Sequence, residues 1–147
     1  MIINYLAQLD NANTDFHHLL RKLDELGTLL ATPLGTRDAL AFTTLYKEHV
    51  YLALSCVMSY QKRDLTDILS NQRIFLEHAT VMGTFLSSLG LSPKEDLIEL
   101  CLNQNQYILH MIEAQCVKHY NIVVKYFDAY YVHLFHLAGL LFFSNQK

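Results

Sequence analysis

Turn-forming residues are scarce in this chain. Five glycines and two prolines in 147 residues leave two clear breaks, at Gly27 to Gly35 and at Gly90 to Pro93, while Gly83 and Gly139 fall inside helical patterns. No segment alternates apolar and polar residues over several positions, so nothing reads as a half-buried strand. Three cysteines, Cys56, Cys101 and Cys116, make an odd number without CxxC spacing. That leaves no disulfide or cysteine–zinc framework to expect, and the three read as reduced core thiols. Lys and Arg number 11 against 14 Asp and Glu, a net charge of −3. The basic residues are scattered singly or in pairs (Arg21-Lys22, Lys62-Arg63), which argues against a nucleic-acid partner. Met1 to Leu6 has no basic leader region, so a secretory signal is not expected. The most apolar run, Ala129 to Phe143, is about 15 residues and holds His133 and His136, short of the roughly 20 a membrane span needs. Thiol usage and the missing signal predict a cytoplasmic protein. Phosphate-loop, dinucleotide and hydrolase-elbow glycine motifs are all lacking.

What is present is apolar and helical in period. With 52% hydrophobic and 17% charged side chains, the chain predicts a single domain over residues 1–147 that buries a core without staples. Ile2, Tyr5, Leu6, Leu9, Phe16, Leu19, Leu20, Leu23, Leu26 and Leu30 trace one helical stripe ending near Thr32-Pro33, with a later start near Asn13 as the alternative. The second helix is predicted from Thr36 to about Arg63, with Phe42, Leu45, His49, Leu52, Ala53, Cys56 and Tyr60 inward. Asp64 caps a third, carrying Leu65, Ile68, Leu69, Gln72, Phe75, Ala79, Met82, Leu86 and Leu89, which Gly90 stops. Ser92-Pro93-Lys94-Glu95 predicts a capping box at the start of the fourth. A break at His119-Tyr120-Asn121, with Asn121 as cap, opens the last helix, running to about Ser144. The expected architecture is all-α: an antiparallel four-helix bundle with one additional helix, five in all. The last helix is apolar nearly all round and lacks charge from Asp128 to Lys147, so its extra face should meet the bundle centre or a second subunit. A homodimer through this helix is the predicted partnership.

Eight histidines spread over every predicted helix, and imidazole is the commonest metal ligand. Glu48-His49 and Glu77-His78 repeat one dipeptide on consecutive helices, and His110 and Glu113 share a helix face at i, i+3, a reversed form of the Glu-x-x-His pair of di-iron bundles. These six residues form the candidate ligand set, for iron, manganese or zinc. Adjacent helical positions differ by about 100°, so one of each Glu-His dipeptide can point at the bundle axis, and His49 and His78 are the better choices. The plainer reading makes both core histidines satisfied by hydrogen bonds, with Glu48 and Glu77 on the polar flank and Glu77 paired to Arg73. It also puts His110 and Glu113 on a solvated side with Asn103 and Gln106. His133 and His136, among aromatics, are the histidines expected to be buried, and His17, His18 and His119 to be exposed.

The strings Leu45-Tyr46-Lys47-Glu48-His49-Val50-Tyr51, Arg73-Ile74-Phe75-Leu76-Glu77-His78 and Ser88-Leu89-Gly90-Leu91-Ser92-Pro93-Lys94-Glu95 resemble an uncharacterised helical-bundle family of spore-forming Firmicutes, over roughly residues 40 to 112. That family is similar to ferritin-like and hemerythrin-like proteins, with a Glu-His-x-aromatic-aromatic motif opening a bundle helix and a histidine one or two turns later. Here the motif stands as Glu48-His49-Val50-Tyr51-Leu52, with Cys56-Val57 and Val81-Met82 near where the later histidine would fall. The leading functional expectation is a self-associating binding or scaffolding module without catalysis and without a cofactor. The alternative, which the resemblance implies, is a metal-binding bundle protein using Glu and His ligands. A small-molecule sensor lined by the aromatics of the last helix is the third.

Overall fold

Each stretch between the turn-forming residues is helical in the computed structural model, which describes residues 12–143. The five helices are α1 (Ala12–Leu34), α2 (Thr36–Lys62), α3 (Leu65–Ser88), α4 (Lys94–Cys116) and α5 (Tyr120–Phe143), and among the described residues there is no strand. The expected inward residues Ile2 to Leu9 lie outside the described residues. No described helix is long and apolar enough to cross a membrane.

The connections explain the packing. Gly35 alone joins α1 to α2, Arg63-Asp64 joins α2 to α3, and Gly90, at φ +73, sits in the link from α3 to α4. Links this short force each helix back along its predecessor. Lys47 meets Asp24 across α1 and α2, Tyr60 meets Gln72 across α2 and α3, Asn105 meets Phe75 across α3 and α4, and Tyr107 meets His133 across α4 and α5. Every successive pair is therefore antiparallel. α4 also packs on α2, and α1 touches α5, so the all-α bundle closes with α4 at its middle and α5 at its edge.

The ends of the helices agree with expectation at Thr36, Asp64 and Gly90 and depart from it at Ser92, at the end of α4 and at Asn121, which was expected to cap α5 but lies inside it, since α5 begins at Tyr120. Asp64 caps α3, its Oδ1 accepting from the Thr66 and Asp67 amides at 2.9 and 3.1 Å. The Ser92 capping box does not form. Pro93, at ψ 146, is itself the last non-helical residue, which moves Ser92 one position too far out for its hydroxyl to reach the first turn. α4 ends earlier than expected. The His119 amide donates to the Ala114 carbonyl and the Lys118 amide to the Gln115 carbonyl, with Lys118 at φ 61. Those two bonds are a Schellman closure in which lysine occupies the left-handed position that glycine usually takes.

Two apolar clusters fill the bundle. One gathers Leu30, Phe42, Leu86, Leu97, Leu137 and their neighbours; the other gathers Ala53, Cys56, Phe75, Ile112 and Val123. α3 and α4 approach closely where Gly83 lies, since a Cβ there would stand 2.6 Å from the Ile98 backbone. Cys56 and Cys101 are buried, whereas Cys116 is exposed, contrary to the expectation for it: it falls in the last turn of α4, beyond the second cluster.

Candidate functional site

Between the two apolar clusters lies a layer of buried polar side chains: His49 from α2, His78 from α3, and Gln104 and Asn105 from α4. Helical phase puts them there. His49 falls between Phe42 and Ala53 on its stripe, His78 between Phe75 and Met82, and Gln104 and Asn105 between Cys101 and Ile108. Asn105 is satisfied, its Nδ2 donating to the Phe75 carbonyl at 2.6 Å. Gln104 Nε2 and both ring nitrogens of His78 have no hydrogen-bond partner among the described residues.

The two histidines are neighbours, with ring centroids 5.9 Å apart, and the His49 ring lies 5.0 Å from Phe75 and 5.3 Å from Tyr46. Burial pushes the His49 imidazole down to about 3, and His78 beside it adds to the effect. Burial also lowers His78, against an opposing pull from Glu48. Glu48 Oε2 stands 3.5 Å from His78 Nε2 while the carboxylate itself is 58% exposed. The result is a pair of neutral imidazoles with a carboxylate at their solvent edge. As helical phase requires, Glu48 and Glu77 point outward, and Glu77 accepts from Arg73 at 3.1 Å.

His110 and Glu113 lie elsewhere, near the far end of α4, about half exposed, with Nδ1 and Oε2 3.6 Å apart. Glu113 Oε1 accepts from the Tyr60 hydroxyl at 2.7 Å and from Gln72 Nε2 at 3.2 Å, and Gln72 also donates to Tyr60 at 2.7 Å. Burial first, and the Glu113 carboxylate second, raise the Tyr60 hydroxyl above its usual range. His110 stacks on Tyr126 at 4.6 Å. This network ties α2, α3, α4 and α5 together. Tyr60 and Gln72 stood on the inward stripes of their helices, but their meeting at Glu113 depends on how three helices are rotated against one another.

The six candidate ligands are thus divided among three places: His49 with His78 and Glu48, Glu77 with Arg73, and His110 with Glu113. Among the described residues no group of three or more His, Cys, Asp or Glu is arranged to hold a metal ion. The six candidate ligands therefore do not converge on one place among the described residues. Cys56 and Cys101, their thiols pushed up to about 12 by burial, keep their protons at neutral pH.

The last helix departs most from expectation. Its extra face was expected to meet the bundle centre or a second subunit, and the bundle centre does not cover it: only Val123, Leu137 and Leu141 are buried. Its inner face carries Tyr126, Tyr130 and His133, and Tyr130 faces Tyr46 hydroxyl to hydroxyl at 3.5 Å. His133 is half-buried and His136 exposed, because α5 lies at the bundle's edge, where a single face of it meets the core. Outward run Val124, Phe127, Tyr131 and Phe135, exposed by 58, 48, 51 and 61%. Their spacing of three, four and four makes one row, and the rings touch: Phe127 to Tyr131 at 6.2 Å, Tyr131 to Phe135 at 4.7 Å.

Comparison with protein-family models, with curated proteins and with solved structures found no match to the chain.

Proposed function

We propose that this protein is a self-associating helical module, a binding or scaffolding element without catalysis of its own, in which two copies meet through the outer face of α5. The exposed aromatic row carries this reading. A soluble monomer rarely leaves so large a contiguous apolar patch in water. Taking roughly 150–250 Å² per aromatic side chain, the exposed parts of Val124, Phe127, Tyr131, Val132, Phe135 and Phe143 amount to on the order of 600 Å² per copy, near the ~800 Å² per partner of a standard interface. Asp128 is the last charge before Lys147; beyond it the face is uncharged, and an uncharged surface can be complementary to itself, as a two-fold dimer requires. The reading places the protein in the cytoplasm, where its free thiols stay reduced, and keeps the helical-bundle family resemblance as a proposed kinship.

Binding of iron, manganese or zinc is the less favoured reading, because the candidate ligands are dispersed. The test of the dimer is a Phe127→Glu/Phe135→Glu chain. Both side chains are exposed, so its circular dichroism should match the wild type while light scattering shows a fall from dimer to monomer. A variant that stays dimeric would refute this interface.

A further inference from the structure

Three glycines lie inside helices, and two of them have an evident reason. A Cβ at Gly27 would run into the Thr43 side chain across the α1–α2 contact, and one at Gly83 would meet the Ile98 backbone at 2.6 Å. At Gly139 a Cβ would meet nothing within 4 Å. An interior glycine destabilises a helix relative to alanine, and no close neighbour within 4 Å calls for one here. Gly139 also falls four residues beyond Phe135, as Phe135 falls four beyond Tyr131 and Tyr131 four beyond Phe127. It is the next rung of the aromatic row, and it is empty.

We infer that two copies pair antiparallel along α5 about a two-fold axis near residue 133, so that Phe127 of each copy seats over Gly139 of the other and Tyr131 packs against Phe135. The inference rests on the self-association proposed above and adds the register. The row from Val124 to Phe143 has its midpoint near residue 133, so an axis there overlays the whole row on itself and covers the most apolar area. In that register positions 127 and 139 face one another, as do 131 and 135. An aromatic rung then fills each gap, and the small residue lets the two helices approach closely. A parallel pairing does neither: it sets Gly139 against Gly139, leaving the hole unfilled, and brings Asp128 beside its own copy, where like charges repel.

Gly139→Leu tests the register directly. In the single chain the new Cβ meets nothing within 4 Å and leucine improves helix propensity, so the thermal midpoint of the monomer should not fall. In the dimer it occupies the seat of Phe127, and overpacking of that size should weaken the dissociation constant about tenfold or more by sedimentation equilibrium. Adding Phe127→Ala makes room again and should recover most of the loss. A second measurement does not depend on steric fit. In a Cys116→Ser background, Phe127→Cys/Gly139→Cys should cross-link into disulfide dimers under mild oxidation, whereas Gly139→Cys alone should not. A wild type that is monomeric removes the self-association itself. A dimeric wild type whose Gly139→Leu variant associates as tightly, or whose Gly139→Cys chain cross-links alone, overturns the antiparallel register and leaves self-association standing.

Discussion

α4 and α5 are consecutive helices of nearly equal length, 23 and 24 residues, and they invert the usual relation between composition and burial. α4 is the more polar, yet it buries ten residues, Gln104 and Asn105 among them. α5 is the more apolar, yet it buries three and turns Phe127, Tyr131 and Phe135 outward. Position explains the inversion, because α4 packs on α2, α3 and α5 while α5 lies at the edge against α4 and part of α1, reaching α2 at Tyr46. A central helix can bury polar groups because neighbours enclose it, and the cost shows in Gln104 Nε2, which has no hydrogen-bond partner among the described residues. An edge helix whose outward face is apolar lacks a neighbour. On the reading proposed above, the apolar excess of α5 serves a contact outside the single chain.

Two phenylalanines put that contrast to its hardest test. Phe75, wholly buried beside His49, should lose about 3–5 kcal/mol of stability on truncation to alanine. Phe135→Ala, measured at dilutions where the chain is monomeric, should stay within about 0.5 kcal/mol of wild type. Chemical denaturation reads both, and equal losses would break the comparison.

Acid should weaken the polar layer next. His49 titrates near 6.5 when unfolded and about 3 when folded, so below pH 6.5 the unfolded chain binds the extra proton. The contribution is therefore fully present above pH 6.5 and is lost as pH falls toward 3, by on the order of 4 kcal/mol. The lowered His78 acts in the same direction. His49→Leu should flatten the decline between pH 6.5 and 4, and an unchanged slope in urea melts would show that the imidazole is not held neutral.

Smaller effects come from the glycines. Gly83→Ala must displace the Ile98 backbone and should cost about 1–3 kcal/mol, whereas Gly139→Ala should raise monomer stability by roughly 0.5–1 kcal/mol. Thermal melts of dilute samples give both signs, and a loss at Gly139 would mean that it packs within its own chain. An effect of similar size is expected for Tyr60→Phe, which removes the hydroxyl joining Gln72 to Glu113 and should cost about 0.5–1.5 kcal/mol in the same melts.

Helices and most of their inward stripes were legible in the sequence because both are local properties; the exceptions are Leu65 and Leu69, expected inward on α3 but exposed in its first turns, ahead of the first residue that α3 buries, Phe75. Asp64 announced its cap, Gly90 its turn, and Phe42, Ala53 and Cys56 their side of α2. The end of α4 was less legible because Lys118 adopts a glycine-like conformation without being glycine, and the Ser92 box failed over a one-residue shift at Pro93. The candidate site was half legible. Phase arguments pointed His49 and His78 inward and their glutamates outward, but which helices bring Glu48 to His78, or Tyr60 and Gln72 to Glu113, depends on rotations that no single helix encodes. For α5 the pattern was visible and its placement was not. An all-round apolar helix suits the centre of a bundle as well as an interface, and the histidines at 133 and 136 were expected inside on that ground.

The account stands most directly on whether α5 of the wild-type chain is covered by a second copy. Sedimentation equilibrium of the unmodified protein over a range of concentrations measures this. The account predicts a concentration-dependent mass that rises to twice the 17.0 kDa of the chain, and a mass that stays at 17.0 kDa into the high micromolar range would contradict it.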